Sequence, residues 1–195
     1  MPEIELPDTE ELEEKRRKRF TKRVAPTTAI FAVLLAITSL GGNNSMKDML
    51  LAQQQSSDQW AFYQSKVIRE NLYKIERNLL EVDLLKSGAS MNPDLRAKYE
   101  SMLKQINDEE VRYTAEKKKI EQDAKNLERI RDLNMKKDPY FDYAEVLLQI
   151  SIVMASVSIL AGSRIVFSFA LIAAALGSLL MLNGLFLLFS IPLFQ

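Results

Sequence analysis

From Val146 to Gln195 the chain carries a single charge, Arg164. Nothing constrains its fold more, because a run this apolar is long enough to cross a bilayer twice at ~20 residues per ~30 Å of hydrocarbon. Ser163 and Arg164 divide it into "AEVLLQISIVMASVSILAG" (144–162) and "IVFSFALIAAALGSLLMLNGLFLLFSIPLF" (165–194). So short a divider makes the two runs an antiparallel helical pair. The second, wholly helical, would reach ~45 Å; Pro192 is expected to end it, and the span is placed at 165–191. A third run, "VAPTTAIFAVLLAITSLGG" (24–42), has no charge at all. The charged leader before it is long and no small-x-small site follows, which favours an uncleaved anchor over a signal peptide.

The expected fold class is therefore all-α: three transmembrane helices with a long extramembrane antiparallel coiled-coil hairpin between spans one and two. The segments are a charged tail (1–23), a first span (24–42), the hairpin (43–138), a second span (139–162) and a third span (165–191). "EEKRRKRFTKR" (13–23) places seven Lys/Arg directly before the first span. With Arg164, it puts the N-terminus in the cytoplasm and the hairpin outside, the periplasm of a double-membrane bacterium. Lys136 and Lys137 pull mildly the other way.

The 26 Lys/Arg are balanced by 26 Asp/Glu, unlike the basic face of a nucleic-acid binder, so the lipid bilayer and no nucleic acid is expected as partner. There is no Cys and no His. Thiolate and imidazole metal sites, Cys or Ser–His nucleophiles and disulfides are thereby excluded. The glycines form no phosphate cradle. No cofactor and no enzymatic activity are expected.

Residues 45–137 contain one strong break, "KSGASMNPD" (86–94), with Pro93 suited to open a helix. Ser45 with Asp48 resembles a cap that would end the first span after "GGNN". On the first helix of the hairpin an apolar seam runs through Met46, Met49, Trp60, Tyr63 and Val67. After a one-residue slip it continues through Ile68, Leu72, Ile75, Leu79 and Val82. On the second it runs through Leu95, Tyr99, Met102, Ile106, Tyr113, Ile120, Leu127 and Ile130. One register then pairs Val82 with Tyr99, Leu79 with Met102, Ile75 with Ile106 and Ile68 with Tyr113, as an antiparallel coiled coil requires. Trp60, the only tryptophan, falls opposite Ile120. Phe62 points away from that seam. With Leu51, Tyr73, Leu80 and Leu84 it forms a second apolar stripe, which in a chain with no third soluble helix suggests contact with another copy. Trp60, Phe62, Tyr63, Tyr73, Leu80 and Leu84 are thus the candidate oligomer or helix contacts.

"DQWAFYQSKVIRENLY" (58–73), with "FDYAEVLLQISIVMASVSIL" (141–160) far downstream, resembles the bacterial membrane-protein family known as domain of unknown function 4337. Matching positions are Trp60, Tyr63, Gln64 and Lys66, then Asp142, Glu145 and Gln149. The resemblance implies a membrane location and a helical segment between spans, and supplies no activity. The tail before Val24 lies outside it.

"DPYFDYAEVLLQ" (138–149) offers Asp138 as a helix N-cap and Pro139 as the first helical residue. Glu145 and Gln149 then enter the membrane on one face, where they require a polar partner or a water-filled path. Asn183 is a lone polar residue in the third span, expected to bond a neighbouring helix. Small residues stripe each span: Ala29, Ala32 and Ala36; Ser151, Ala155, Ser158 and Gly162; Ala170, Ala174 and Gly177. Such stripes bring helix backbones close. The expected function is a homo-oligomeric membrane scaffold. The rivals are a channel or transport accessory with a polar path through Glu145, Gln149 or Asn183, and an adaptor docking an unidentified protein at the hairpin tip, "SGASMNPD".

Overall fold

A computed structural model describes residues 9–87 and 90–189. Its elements are α1 (Thr9–Ser87), α2 (Pro93–Ala161) and α3 (Arg164–Phe186), and among the described residues there is no strand. All three helices contain a segment long and apolar enough to cross a membrane. The chain divides into two compact units, one made of the parts up to Met49 and from Leu133 onward, the other of Leu50–Asp132.

The helices run through both places where the sequence suggests a boundary, and through a further proline. Pro26 lies inside α1. The hydroxyls of Thr27 and Thr28 donate to the carbonyls of Arg23 and Val24, 3.0 Å each, whereas the carbonyl that loses its helical donor to proline is that of Lys22. Pro139 lies inside α2, so Asp138 is not an N-cap; Tyr140, Phe141 and Ala144 are buried on one continuous face, and that packing holds the helix through the proline. "GGNN" does not end α1 either. Gly41 and Gly42 meet the ring of Phe141, and a Cβ on Gly41 would lie 2.6 Å from Phe141 Cε1. These glycines serve close approach, not termination.

In the first unit α2 runs antiparallel to both α1 and α3. Phe141, 2% exposed, fills a notch between Gly41 and Gly42 of α1 and Gly184 of α3. Gly177 lets the backbone of Ala144 approach to 3.1 Å of where its Cβ would be. At the other end of the unit, Phe20 and Phe167 meet edge to face at 5.9 Å. The α2 and α3 small-residue stripes are inside, with Ser151, Ala155, Ser158, Ala170 and Ala174 all buried. Ser151 and Ser158 donate to the carbonyls of Leu148 and Ala155 on their own helix, so no hydroxyl needs an outside partner. Gly162 is exposed and belongs to the turn instead. The α1 stripe is a correction: Ala29, Ala32 and Ala36 are exposed, and the buried positions are Val24, Phe31 and Thr38. Seven-residue spacing carries this inner face past the alanines, so bulk rather than small size fills it.

The expected tight antiparallel turn is present. Gly162 takes φ +61, Ser163 N–H bonds Ser158 O and Gly162 N–H bonds Ile159 O. Together these close α2 in a Schellman motif. Ser163 then caps α3, its hydroxyl accepting from Val166 N. α3 stops at Phe186, before the expected residue 191, because Leu187 turns left-handed. Pro192 lies outside the described residues.

In the second unit α1 and α2 lie side by side and antiparallel. Arg131 donates to Gln53 at 3.0 Å, Trp60 to Glu128 at 2.9 Å and Arg77 to Glu110 at 2.6 Å. Asn92 begins α2: its carbonyl accepts from Arg96 N and its side chain from Asp94 N. Pro93 is the first helical residue, as its missing N–H allows. Gly88 and Ala89, in the tip, lie outside the described residues.

Candidate functional site

The surface between α1 and α2 within Leu50–Asp132 is where most of the candidate residues meet. On α1 the residues turned inward follow an unbroken alternation of four and three: Ala52, Ser56, Gln59, Tyr63, Lys66, Glu70, Tyr73, Arg77, Leu80 and Leu84, each buried or half-buried. On α2 the matching series is Tyr99, Leu103, Ile106, Glu110, Tyr113, Lys117, Ile120, Ala124, Leu127 and Arg131.

The expected one-residue slip at Val67 therefore does not occur. Ile68, Leu72, Ile75, Leu79 and Val82 are 42–63% exposed, so the pairings of Ile68 with Tyr113, Ile75 with Ile106, Leu79 with Met102 and Val82 with Tyr99 are corrected. Tyr73, assigned to an outer stripe, instead stacks on Tyr113 with ring centroids 5.6 Å apart. Leu80 and Leu84 are half-buried in the same phase. On α2, Leu95, Met102 and Ile130 are exposed.

Charge causes the difference. An unslipped seam puts Glu70 and Arg77 at core positions, which an apolar template rejects. The chain meets them with opposite charges at core positions of α2: Glu70 pairs with Lys117, and Arg77 with Glu110. Lys74, one turn along, also reaches Glu70 at 2.7 Å. Hydrogen bonds from Lys117 and then Lys74 hold the Glu70 carboxyl below its ordinary pKa, because they favour the charged form. This quartet is the feature that sequence reasoning missed, although carrying the heptad through Val67 unchanged would have exposed it.

Trp60 is half-buried, edge-on to Tyr63 at 5.4 Å. Its indole N–H reaches Glu128, about two helical turns beyond Ile120. Trp60→Phe, which keeps an aromatic ring and removes this donor, is expected to cost about 1 kcal/mol, read as a lower circular-dichroism melting midpoint of the full chain. Phe62 is 50% exposed, with the Lys66 ammonium 5.1 Å from its ring centre. Lys66 also pairs with Glu116 at 2.5 Å, and that bond lowers the Glu116 pKa.

The polar residues of the apolar segments do not converge. Gln149 donates to Glu145 one turn back on α2 at 3.2 Å. Asn183 is fully buried, and among the described residues it bonds no neighbouring helix. Its amide donates to Phe189 O at 2.8 Å and accepts from Phe189 N at 3.0 Å. The expected interhelical bond is thus replaced by a local one, because the left-handed turn at Leu187 brings the chain back over Asn183.

Comparison with curated proteins and with solved structures finds no match. The model of a family described as a domain of unknown function, DUF4337, matches residues 20–187. That match takes in all of α2 and α3 and most of α1, and the chain belongs to this family.

Proposed function

We propose that the chain is an integral membrane protein with three spans, whose Leu50–Asp132 unit is an extramembrane antiparallel coiled coil that joins copies into a homo-oligomeric scaffold. Membrane insertion is supported by an inverted pattern of burial in the first unit. On α2 and α3 small and hydroxylated residues face inward, while Ile30, Val33, Leu40, Val153, Leu160, Ile165 and Ile172 face outward. In water that arrangement would expose apolar surface throughout; against lipid tails it is the stable one. The positive-inside bias favours a cytoplasmic N-terminus and a coiled coil on the far face of a bacterial inner membrane.

The observation that carries the scaffold is the outer stripe of α1. Ile68, Leu72, Ile75, Leu79 and Val82 repeat at four and three residues on the face turned away from α2, each at least 42% exposed. Asn71 and Asn78, both exposed, border the stripe on one side, so a second helix can approach there without burying a charge. The same spacing on two faces of one helix supports a second coiled-coil neighbour.

Ile75→Lys with Leu79→Lys tests it. Helix content is expected to stay constant while apparent dissociation rises at least on the order of a hundredfold, since each buried aliphatic side chain contributes ~1.5–3 kcal/mol. Light scattering of the detergent-solubilised full chain reads the change. An unchanged particle mass would refute assembly through this stripe.

A further inference from the structure

Arg16, Arg19 and Arg23 of α1 and Arg164 at the start of α3 line one cavity of about 460 Å³, with Phe20 and Phe167 in its wall. Their spacing explains the convergence. Residues 16, 19, 20 and 23 fall on one helical face, and 164 and 167 on another. The Phe20–Phe167 contact joins the two helices at that level, and Val24 is completely buried there. Among the described residues, no acidic side chain lines the cavity. Among the described residues, none of the four arginines makes an ion pair, in contrast with neighbouring Lys18, which binds Glu14. Four uncompensated guanidinium groups repel one another. Their shared cavity is of ordinary ligand-site size, and each presents the N–H fork that fits phosphate oxygens in pairs.

We propose that this cavity binds a phosphate-bearing anion, held by the arginine forks over the phenylalanine wall. The source is the headgroup of an anionic phospholipid: the charge-free run from Val24 begins at the cavity, so in a bilayer the arginines lie at headgroup depth. Only this choice of source rests on the membrane reading above; the anion site itself does not. Release of the protein by alkaline carbonate would reject membrane insertion without touching the site.

The experiment titrates the purified full chain, in a zwitterionic detergent, with short-chain phosphatidylglycerol, short-chain phosphatidylcholine and inorganic phosphate, following binding by calorimetry. Phosphatidylglycerol is expected to bind at least tenfold more tightly than phosphatidylcholine. The triple variant Arg19→Gln, Arg23→Gln, Arg164→Gln should weaken that binding by about fivefold per arginine, on the order of a hundredfold in all. A control triple, Arg17→Gln, Lys18→Gln, Lys22→Gln, removes equal charge outside the cavity and should stay within a few fold of the parent. Inorganic phosphate binding as tightly as the lipid would support the anion site and assign it to a free anion. If the glutamine variant does not fold, the corresponding lysine triple, which keeps charge without the fork, should still bind at least fivefold more weakly. Equal loss in the cavity and control triples, or equal binding of both lipids, would overturn the proposal.

Discussion

Phe141→Ala is expected to be among the most damaging single changes in the molecule, costing about 3–5 kcal/mol. The ring is almost wholly enclosed and touches the glycine positions of both other helices of its unit, so its removal opens a cavity among three backbones at once. Gly41→Ala attacks the same contact from the opposite side, placing a Cβ 2.6 Å from the ring, and should cost about 1–3 kcal/mol by overpacking. The two changes occupy one space. Combined, they should destabilise by clearly less than the sum, a coupling that a double-mutant cycle on thermal unfolding in detergent would measure. Strict additivity would mean that the glycines and the ring are not in contact.

Glu70→Lys is the second large effect. It places a third ammonium beside Lys74 and Lys117, on a face where the native carboxylate is 5% exposed. Breaking such a pair and leaving its partner behind is expected to cost about 2–3 kcal/mol. Adding Lys117→Glu restores an opposite pair and should recover most of the loss, though Lys74 would still face a like charge. A circular-dichroism melt of each variant reads the difference. The native pair also predicts a pH dependence. The Glu70 carboxyl is depressed from its ordinary 4.5, so its contribution is complete above that value and is lost as pH falls through the lower folded value. Acid titration should loosen the helix pair of the parent only below the ordinary carboxyl value, and the acid-sensitive step should be smaller in Glu70→Gln.

Much of this architecture is visible in the chain itself. Three apolar segments, the turn at Asn92–Pro93 and the short connection at Ser163 all follow from local chemistry. So does the inward face of most of α2, where Tyr99, Ile106, Tyr113, Ile120 and Leu127 keep strict spacing. The errors share one cause: residues whose local preference is overruled by a neighbour that only the folded chain brings beside them. Pro139 and the pair Gly41–Gly42 read as helix ends, yet Phe141 packing explains why the helices continue. Glu70 and Arg77 lie off the apolar seam that the sequence suggests, and belong to it only once Lys117 and Glu110 are known to stand opposite. Asn183 reads as a residue seeking another helix because its partner, the backbone of Phe189, becomes available only after a left-handed turn at a leucine. The arginine cavity was half legible: the basic run is plain in the sequence, but its meeting with Arg164 is not.

Two of the cross-helix ion pairs, Glu70–Lys117 and Arg77–Glu110, also act as a proofreading mechanism for alignment. A heptad repeat is degenerate: sliding α1 along α2 by seven residues returns core positions to core positions, and aliphatic contacts alone distinguish such alignments poorly. Here Glu70 sits opposite Lys117 and Arg77 opposite Glu110. A slide of one heptad in one direction brings Glu70 against Glu110; a slide in the other brings Arg77 against Lys117. Both mistakes set like charges together in a partly dry seam, where repulsion is strongest. The charges that an apolar template would reject thus single out one alignment among those that the repeat permits.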